Sequence, residues 1–162
     1  CVVMAGVTAL WVGMMRIAEK SGLLEAMEQR MQPVLNFLFP EIPGNHPSRK
    51  SIATNLLANI LGLGWAATPA GLKAMEELSD LEEERRRKKQ RAVAVGAASN
   101  EMCDFLILNI SSLQLIPVNI IAFRSQYGSV NPAEIIGPAI LATVISTITA
   151  VIFCKFAQKL TN

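Results

Sequence analysis

Hydrophobic and polar residues fall into long, separate blocks along this chain. Three blocks contain no charged side chain, namely residues 52–72, 105–123 and 135–154, and each would form about 30 Å of helix, enough to cross a bilayer core. A fourth uncharged block, residues 1–15, begins in mid-pattern at Cys1, so we expect the chain to be truncated at its N-terminus. The pattern predicts an all-α, polytopic membrane protein with about four membrane helices, two of them discontinuous, plus an amphipathic interfacial helix.

The block at residues 52–72 is the one around which the rest of the chain is organised, although it is a poor hydrophobic helix. Amides, glycines, a threonine and a proline interrupt it: Asn55, Asn59, Gly62, Gly64, Thr68 and Pro69. Backbone groups left unpaired by Gly and Pro are tolerated at membrane depth only inside protein or beside a wet cavity. The segment is therefore either a discontinuous helix that forms a binding site or a kinked helix packed on its neighbours, and it either crosses or re-enters the bilayer.

A second polar segment lies at residues 102–123. Its apolar run is interrupted at Asn109, Ser111, Ser112, Gln114 and Pro117. Polar groups at that depth cost free energy unless they find partners, so we expect them to face protein or water. Two broken polar helices in one small membrane protein predict a substrate path where they meet, lined by the interrupting residues of both segments. Neutral amides and hydroxyls suit a small polar solute or a partly dehydrated cation, whereas a divalent metal prefers charged ligands.

The regions between these blocks predict the remaining elements. Residues 23–39 place apolar side chains on one helical face and charged ones on the other, which indicates an amphipathic helix that lies in the membrane interface or packs on a partner, divided at Pro33. Residues 92–100 are too short to cross, so they either lead into the next span or form half of a re-entrant hairpin. The last block carries a stripe of small residues that indicates a packing face: Ala142, Ser146, Ala150 and Cys154.

The charged residues of the second half concentrate at residues 73–91. Acidic positions precede basic ones, so Glu83 should pair with Arg87 and Glu84 with Lys88 on a solvated helix or linker. Because basic residues near membrane ends favour the cytoplasm, we expect residues 73–91 to be cytoplasmic, with 76–91 a charged loop inside one membrane domain of residues 1–162. Residues 124–134 should then lie outside, and the tail from residue 155 should return to the cytoplasm.

Composition and motifs narrow the function classes. The net charge of +2 is small and no basic-aromatic pattern supports nucleic-acid binding. The sequence lacks a Ser-His-Asp set, an HExxH or CxxC motif and a Walker loop, so we expect no enzymatic activity, no cofactor and no metal site. Three cysteines without metal spacing do not form a disulfide framework. Glu101 and Asp104 lie at the edge of a span and are interpreted as interfacial carboxylates.

Three stretches of the sequence form a specific set, namely NLLANILGLGWAATPAGLKAMEEL, LILNISSLQLIPVNIIAFR and NPAEIIGPAILATVIST. They resemble one known family, the bacterial spore maturation protein A family with its "nucleoside recognition" or Gate domain. The stretches LWVGMMRIAEKSGL and LFPEIPGNHP extend the resemblance over essentially the whole chain. The positions that match the family pattern are Asn59, Thr68, Pro69, Asn109, Ser111, Ser112 and Pro117. Trp65 departs from it, because many relatives have Asn there, and the charged run at residues 82–91 is longer than usual.

The resemblance implies a multi-pass protein of the bacterial inner membrane, with one Gate-type domain over residues 1–162. It further implies a homologous membrane partner, spore maturation protein B, and a link to maturation of the spore core in bacteria that form spores. A Gate domain implies half of a heteromeric transporter or gate for a small polar solute. The alternative is a non-transporting membrane scaffold of the spore maturation complex, whose polar residues only form interhelical hydrogen bonds.

The expected topology can be tested by thiol labelling. A cysteine introduced by Lys88→Cys should not react with a membrane-impermeant reagent added to intact cells, because the basic segment around it is predicted to be cytoplasmic. Ser125→Cys, in the predicted outside loop, should react and serves as the matched control. Labelling at position 88 without permeabilisation would reverse the predicted orientation.

Overall fold

The computed structural model describes residues 21–62, 64–111 and 114–161, together with isolated positions between 6 and 20. In these ranges the chain forms six α-helices and one 3₁₀ turn, and no strand. The helices are α1 (Leu23–Leu38), α2 (Ser48–Ile60), α3 (Gly64–Arg87), α4 (Asn100–Ser111), α5 (Val118–Gln126) and α6 (Ile136–Thr161), with the 3₁₀ turn at Pro132–Ile135 before α6. The prediction of an all-α protein is confirmed, whereas most of the uncharged block at residues 1–15 lies outside the described residues.

Helices α2 and α3 form an antiparallel hairpin, so residues 52–72 do not cross as one helix. The side-chain amide of Asn55 in α2 donates to the backbone oxygen of Ala67 in α3 at 2.8 Å. At the open end of the hairpin, Pro47 before α2 borders the same groove as Arg87 at the end of α3. The chain reverses at Leu61 and Gly62, where Gly62 has a φ of +75°. The segment therefore folds back on itself instead of forming one continuous helix.

Two proline expectations are wrong. Pro69 lies inside α3 and Pro33 lies inside α1, and neither proline divides its helix. Each proline removes a single backbone hydrogen bond, which packing of the surrounding helix can outweigh. Within residues 52–72 the chain reverses at Gly62 and not at Pro69.

The second broken segment lies between α4 and α5, as predicted. Helix α4 ends at Ser111, residues 114–117 are not helical, and α5 begins at Val118 directly after Pro117. The backbone N–H of Leu115 donates to the oxygen of Ile60 at the hairpin tip at 2.8 Å. The N–H of Gln114 donates to the hydroxyl of Thr143 in α6 at 3.4 Å. Neighbouring elements thus satisfy backbone groups that the break exposes, as an apolar environment demands.

The apolar core lies where the hairpin meets α1 and α4. It is formed by side chains that are almost completely buried, among them Leu35, Phe39, Ile52, Ala53, Ala74, Leu78, Phe105 and Leu108. Buried Arg49 connects the α1–α2 loop to this core by donating from Nη2 to the oxygen of Ile42 at 2.8 Å. The core therefore fixes the hairpin against α1 and α4.

Helix α6 is the one described helix that is long and apolar enough to span a membrane, over Pro132–Lys159. The predicted count of about four spans is not confirmed, because residues 52–72 form a hairpin and residues 105–123 are shared between two helices. Of the stripe of small residues, Ala150 and Cys154 are buried but Ala142 and Ser146 are exposed. The stripe is therefore buried only at Ala150 and Cys154. On its other faces α6 exposes large apolar side chains: Leu141, Ile145, Ile148, Ile152, Phe153 and Phe156.

The charged segment at residues 76–87 continues α3 as regular helix instead of forming a loop. Both predicted ion pairs are present, with Arg87 and Glu83 3.2 Å apart and Lys88 and Glu84 3.7 Å apart. Residues 92–94 and 97–99 adopt no helix, so this stretch is not half of a helical hairpin.

Gly62 provides a test of how the hairpin tip docks on the second break. A Cβ at Gly62 would lie 1.9 Å from the backbone oxygen of Ile116, and φ there is +75°. Gly62→Ala should therefore destabilise the protein by at least about 1–2 kcal/mol, the cost of a left-handed L-residue, with the clash adding to it. The measurement is the melting temperature of the purified protein in detergent. Gly137→Ala, at a helical glycine with nothing within 4 Å, should be neutral or stabilising.

Equal melting temperatures for the two glycine variants would show that the tip does not dock on Ile116.

Candidate functional site

Three asparagine side chains connect three helices at the centre of the molecule. Asn55 and Asn59 lie one turn apart on α2, and Asn109 faces them from α4. The Nδ2 amide of Asn59 donates to Oδ1 of Asn109 at 2.7 Å and to Oδ1 of Asn55 at 3.3 Å. Asn55 in turn donates to the oxygen of Ala67 in α3 at 2.8 Å. The predicted polar residues of the two broken segments therefore meet.

Burial makes this amide network important for the position of the helices. Asn55 is 1 % exposed and Asn59 is 7 % exposed. A buried polar group without a partner costs about 1–3 kcal/mol, so each amide depends on the others for its hydrogen bonds. Both N–H groups of Asn59 are used within the network, which leaves its Oδ1 oxygen to accept from a bound molecule.

An open pocket of about 200 Å³ lies beside the network. The three asparagines and Thr68 provide its polar wall, and Met75 and Phe105 belong to its apolar wall. A volume of this size is below the roughly 300–1,000 Å³ of sites for drug-sized ligands and corresponds to several water molecules. The arrangement suits a small polar solute or one partly hydrated ion.

Gly71 allows the arms of the hairpin to approach closely at this pocket. A Cβ at Gly71 would lie 2.9 Å from Nδ2 of Asn55 and 3.7 Å from Nδ2 of Asn109. Any larger residue would therefore displace the amide that bonds to Ala67. The position of the network depends on this glycine.

The other predicted path residues that the structure describes lie around the pocket and do not line it. Gly62 forms the hairpin tip, Gly64 begins α3, and Pro69 is exposed on α3. The Ser111 hydroxyl donates to the oxygen of Leu108 at 2.9 Å, while Gln114 and Pro117 belong to the break that the tip contacts. Ser112 lies outside the described residues.

Sequence reasoning missed the apolar wall of the pocket and its close-approach glycine: Ala67, Gly71, Leu72, Met75, Phe105 and Leu106. Leu72 and Leu106 are 69 % and 43 % exposed, so apolar side chains rim a polar pocket. Ala67, Gly71 and Met75 are each four residues apart, and this spacing places residues on one face of a helix. The spacing was the feature of the sequence that could have identified this wall.

A separate charged cluster lies at the open end of the hairpin. Nη1 of Arg85 lies 2.5 Å from a carboxylate oxygen of Glu82 and 2.7 Å from one of Glu101. Nη2 of Arg85 donates to the backbone oxygen of Glu41 at 2.8 Å. Burial lowers the pKa of Arg85, but hydrogen bonds to Glu101 and Glu82 outweigh it and raise the pKa above its ordinary value. This cluster fixes α4 to α3.

Glu101 and Asp104 are buried, at 5 % and 4 % exposure, rather than solvated at an interface. Asp104 accepts a hydrogen bond from the side-chain amide of Gln158 in α6. The two carboxylates therefore join α4 to different helices, one through Arg85 and one through Gln158. The spacing alone did not indicate these partners.

Fold and site together define a class: an all-helical protein with a candidate membrane-spanning helix and a polar pocket where a helical hairpin meets a broken helix. The chain is 44 % identical over 150 residues to spore maturation protein A of Bacillus subtilis (strain 168), covering 93 % of this chain and 71 % of that protein. It belongs to the spore maturation protein A family, as the sequence resemblance indicated. No family model matches the chain, and no solved structure matches it.

The buried charged cluster generates a stability prediction. Arg85→Met would leave Glu82 and Glu101 buried without their cation, so we expect a loss of about 3–5 kcal/mol in unfolding free energy. Arg87→Met, which removes an ion pair whose arginine is 79 % exposed, should change it by less than about 1 kcal/mol. Denaturant unfolding of both variants in detergent measures the difference. Similar losses would contradict the structural role of the cluster.

Proposed function

We propose that this chain is half of a heteromeric inner-membrane transporter or gate for a small polar solute, acting with a homologous B-type subunit in spore maturation. The observation that carries the proposal is the amide-lined pocket at the junction of the two broken segments. Its polar wall is neutral, so the solute is an uncharged polar molecule or a partly dehydrated monovalent cation.

The hairpin is the element that would move. Its tip contacts the second break through the Leu115 N–H and the Ile60 oxygen, and its arm contacts α4 through Asn59 and Asn109. Displacing the hairpin would break both contacts and expose the amides to a solute. Hydrogen bonds from the amides to the solute would then replace the bond between Asn59 and Asn109. Such a hairpin would gate access to the pocket from one side of the membrane.

The rim of the pocket supports a second membrane subunit. Leu72, Leu106 and Ile110 are exposed around or near the opening, and Ile110 is 84 % exposed. A polar site that opens between apolar side chains would be completed by a partner that covers them. We propose that the B-type subunit occupies this position and supplies the other half of the path.

The bilayer would surround α6 and the exposed apolar faces of α4 and α5. With residues 73–91 in the cytoplasm, the ends of the hairpin arms, the start of α4 and the end of α6 lie together on that side, since Arg85 contacts Glu101 and Gln158 contacts Asp104. The hairpin tip and the second break then lie deeper in the membrane.

Substitution of the pocket amides tests the proposal. Asn59→Leu and Asn109→Leu should abolish solute flux through proteoliposomes that contain the co-purified pair, because the amides that replace the solute's hydration are lost. Flux is measured by osmotic swelling with uncharged solutes and by sodium and potassium efflux. Asn119→Leu, an exposed amide outside the pocket, should retain the flux of the unmodified pair. Full activity of both pocket variants would overturn the assignment.

A non-transporting scaffold is the second candidate, favoured by the 2.7 Å bond between Asn59 and Asn109, which is itself an interhelical hydrogen bond. Under this function the same variants would weaken assembly by roughly 1 kcal/mol each, and no solute would bind. A thermal-shift screen of the purified pair separates the two functions, because a specific ligand raises the melting temperature as its concentration exceeds its dissociation constant.

A further inference from the structure

A second depression, apolar and of about 300 Å³, also has Asn59 in its wall. Four helices form it, with Val34, Phe37 and Leu38 from α1, Leu56 from α2, Leu108 from α4 and Val151 from α6. Val34 and Phe37 are 46 % and 61 % exposed, so this apolar groove is open at the surface. It is separate from the amide-lined pocket and its chemistry differs, because its lining is almost entirely hydrocarbon.

The ammonium group of Lys155 lies at one end of the apolar groove. Nζ of Lys155, one helical turn after Val151, lies 4.9 Å from the centre of the Phe37 ring. It donates to the oxygen of Leu38 at 3.5 Å and to the side chain of Gln158 at 3.2 Å. Within the described part of the chain no carboxylate forms an ion pair with Lys155. An ammonium has three donor hydrogens, and a phosphate oxygen is a strong acceptor for such a group.

The groove faces the region that a bilayer would occupy. Val151 belongs to the candidate span Pro132–Lys159, whose outer face carries Ile148 and Ile152 beside the groove residues Thr147 and Val151. Lys155 lies one turn before the end of that span, where long basic side chains reach the level of lipid headgroups. Hydrocarbon along the groove and a cation at its end match the two parts of an amphiphile.

We propose that the apolar groove binds one anionic phospholipid, with an acyl chain along Val34, Leu56 and Val151 and the phosphate on Lys155. An acyl chain is favoured because the almost entirely hydrocarbon lining offers it van der Waals contacts and no polar partner that a different ligand would need. The phosphate is favoured because Lys155 is the cation at the rim. The bound chain would touch Asn59, so the lipid contacts the side chain that positions the amide network. The inference does not depend on the proposed transport function.

Native mass spectrometry of the full chain released from nanodiscs tests the proposal. From phosphatidylglycerol nanodiscs the chain should retain one lipid, about fivefold more often than from phosphatidylcholine nanodiscs, as expected for one basic contact to an anionic headgroup. Lys155→Gln should remove this preference and Lys155→Arg should keep it. Lys159→Gln, at an exposed lysine one turn further along α6, should leave retention unchanged.

Val34→Asn tests the acyl-chain part independently, because it places an uncharged polar group in the groove at a half-exposed position and leaves the charge of Lys155 unchanged. It should abolish retention of phosphatidylglycerol. Equal retention of the two lipids, equal effects of Lys155→Gln and Lys159→Gln, or displacement by inorganic phosphate alone would each overturn the proposal. So would a disulfide between Ile17→Cys and Val34→Cys, since the chain's own N-terminal stretch would then occupy the groove.

Discussion

The structure depends on one constraint, which is that backbone groups exposed by a broken helix must find partners inside the protein. Both polar segments are broken, and each break satisfies the other: the N–H of Leu115 donates to the oxygen of Ile60 at 2.8 Å. Gly62 permits this contact because a side chain there would occupy the space of the Ile116 oxygen. In an apolar surrounding an unpaired backbone group costs several kcal/mol, so the two breaks have to meet. The amides next to the breaks are brought together as a consequence.

Two surfaces of different chemistry lie on either side of Asn59. Asn59 borders the amide-lined pocket and also the apolar groove. The side-chain amide of Asn59 donates to Asn55 and Asn109. A displacement of α1 or α6 that moved Asn59 at the groove would therefore change these hydrogen bonds at the pocket. Under the two proposals above, Asn59 would connect the solute site and the lipid site directly.

Buried charges hold the opposite end of the bundle. Arg85 bridges α3, α4 and the loop before α2, and Asp104 with Gln158 bridges α4 and α6. Among the described residues, the tip side of the hairpin is connected to the second broken segment by the hydrogen bond between Leu115 and Ile60 and by the amide pair of Asn59 and Asn109. Under the proposed gating, the tip is the end that would open, because a polar solute could replace its neutral hydrogen bonds whereas buried ion pairs hold the base.

The sequence by itself determined the helical class, the family, the two broken segments and the polar residues that belong together, because uncharged length, glycine and amide positions are properties of the chain. It also determined the ion pairs of Glu83 and Glu84, which are local to one helix. Only the tertiary structure decided that residues 52–72 fold back as a hairpin, that Pro33 and Pro69 stay inside helices, and that Glu101 and Asp104 are buried. Each of these depends on contacts between residues far apart in the chain, such as Asn55 with Ala67 or Arg85 with Glu101, and periodicity contains no information about such partners.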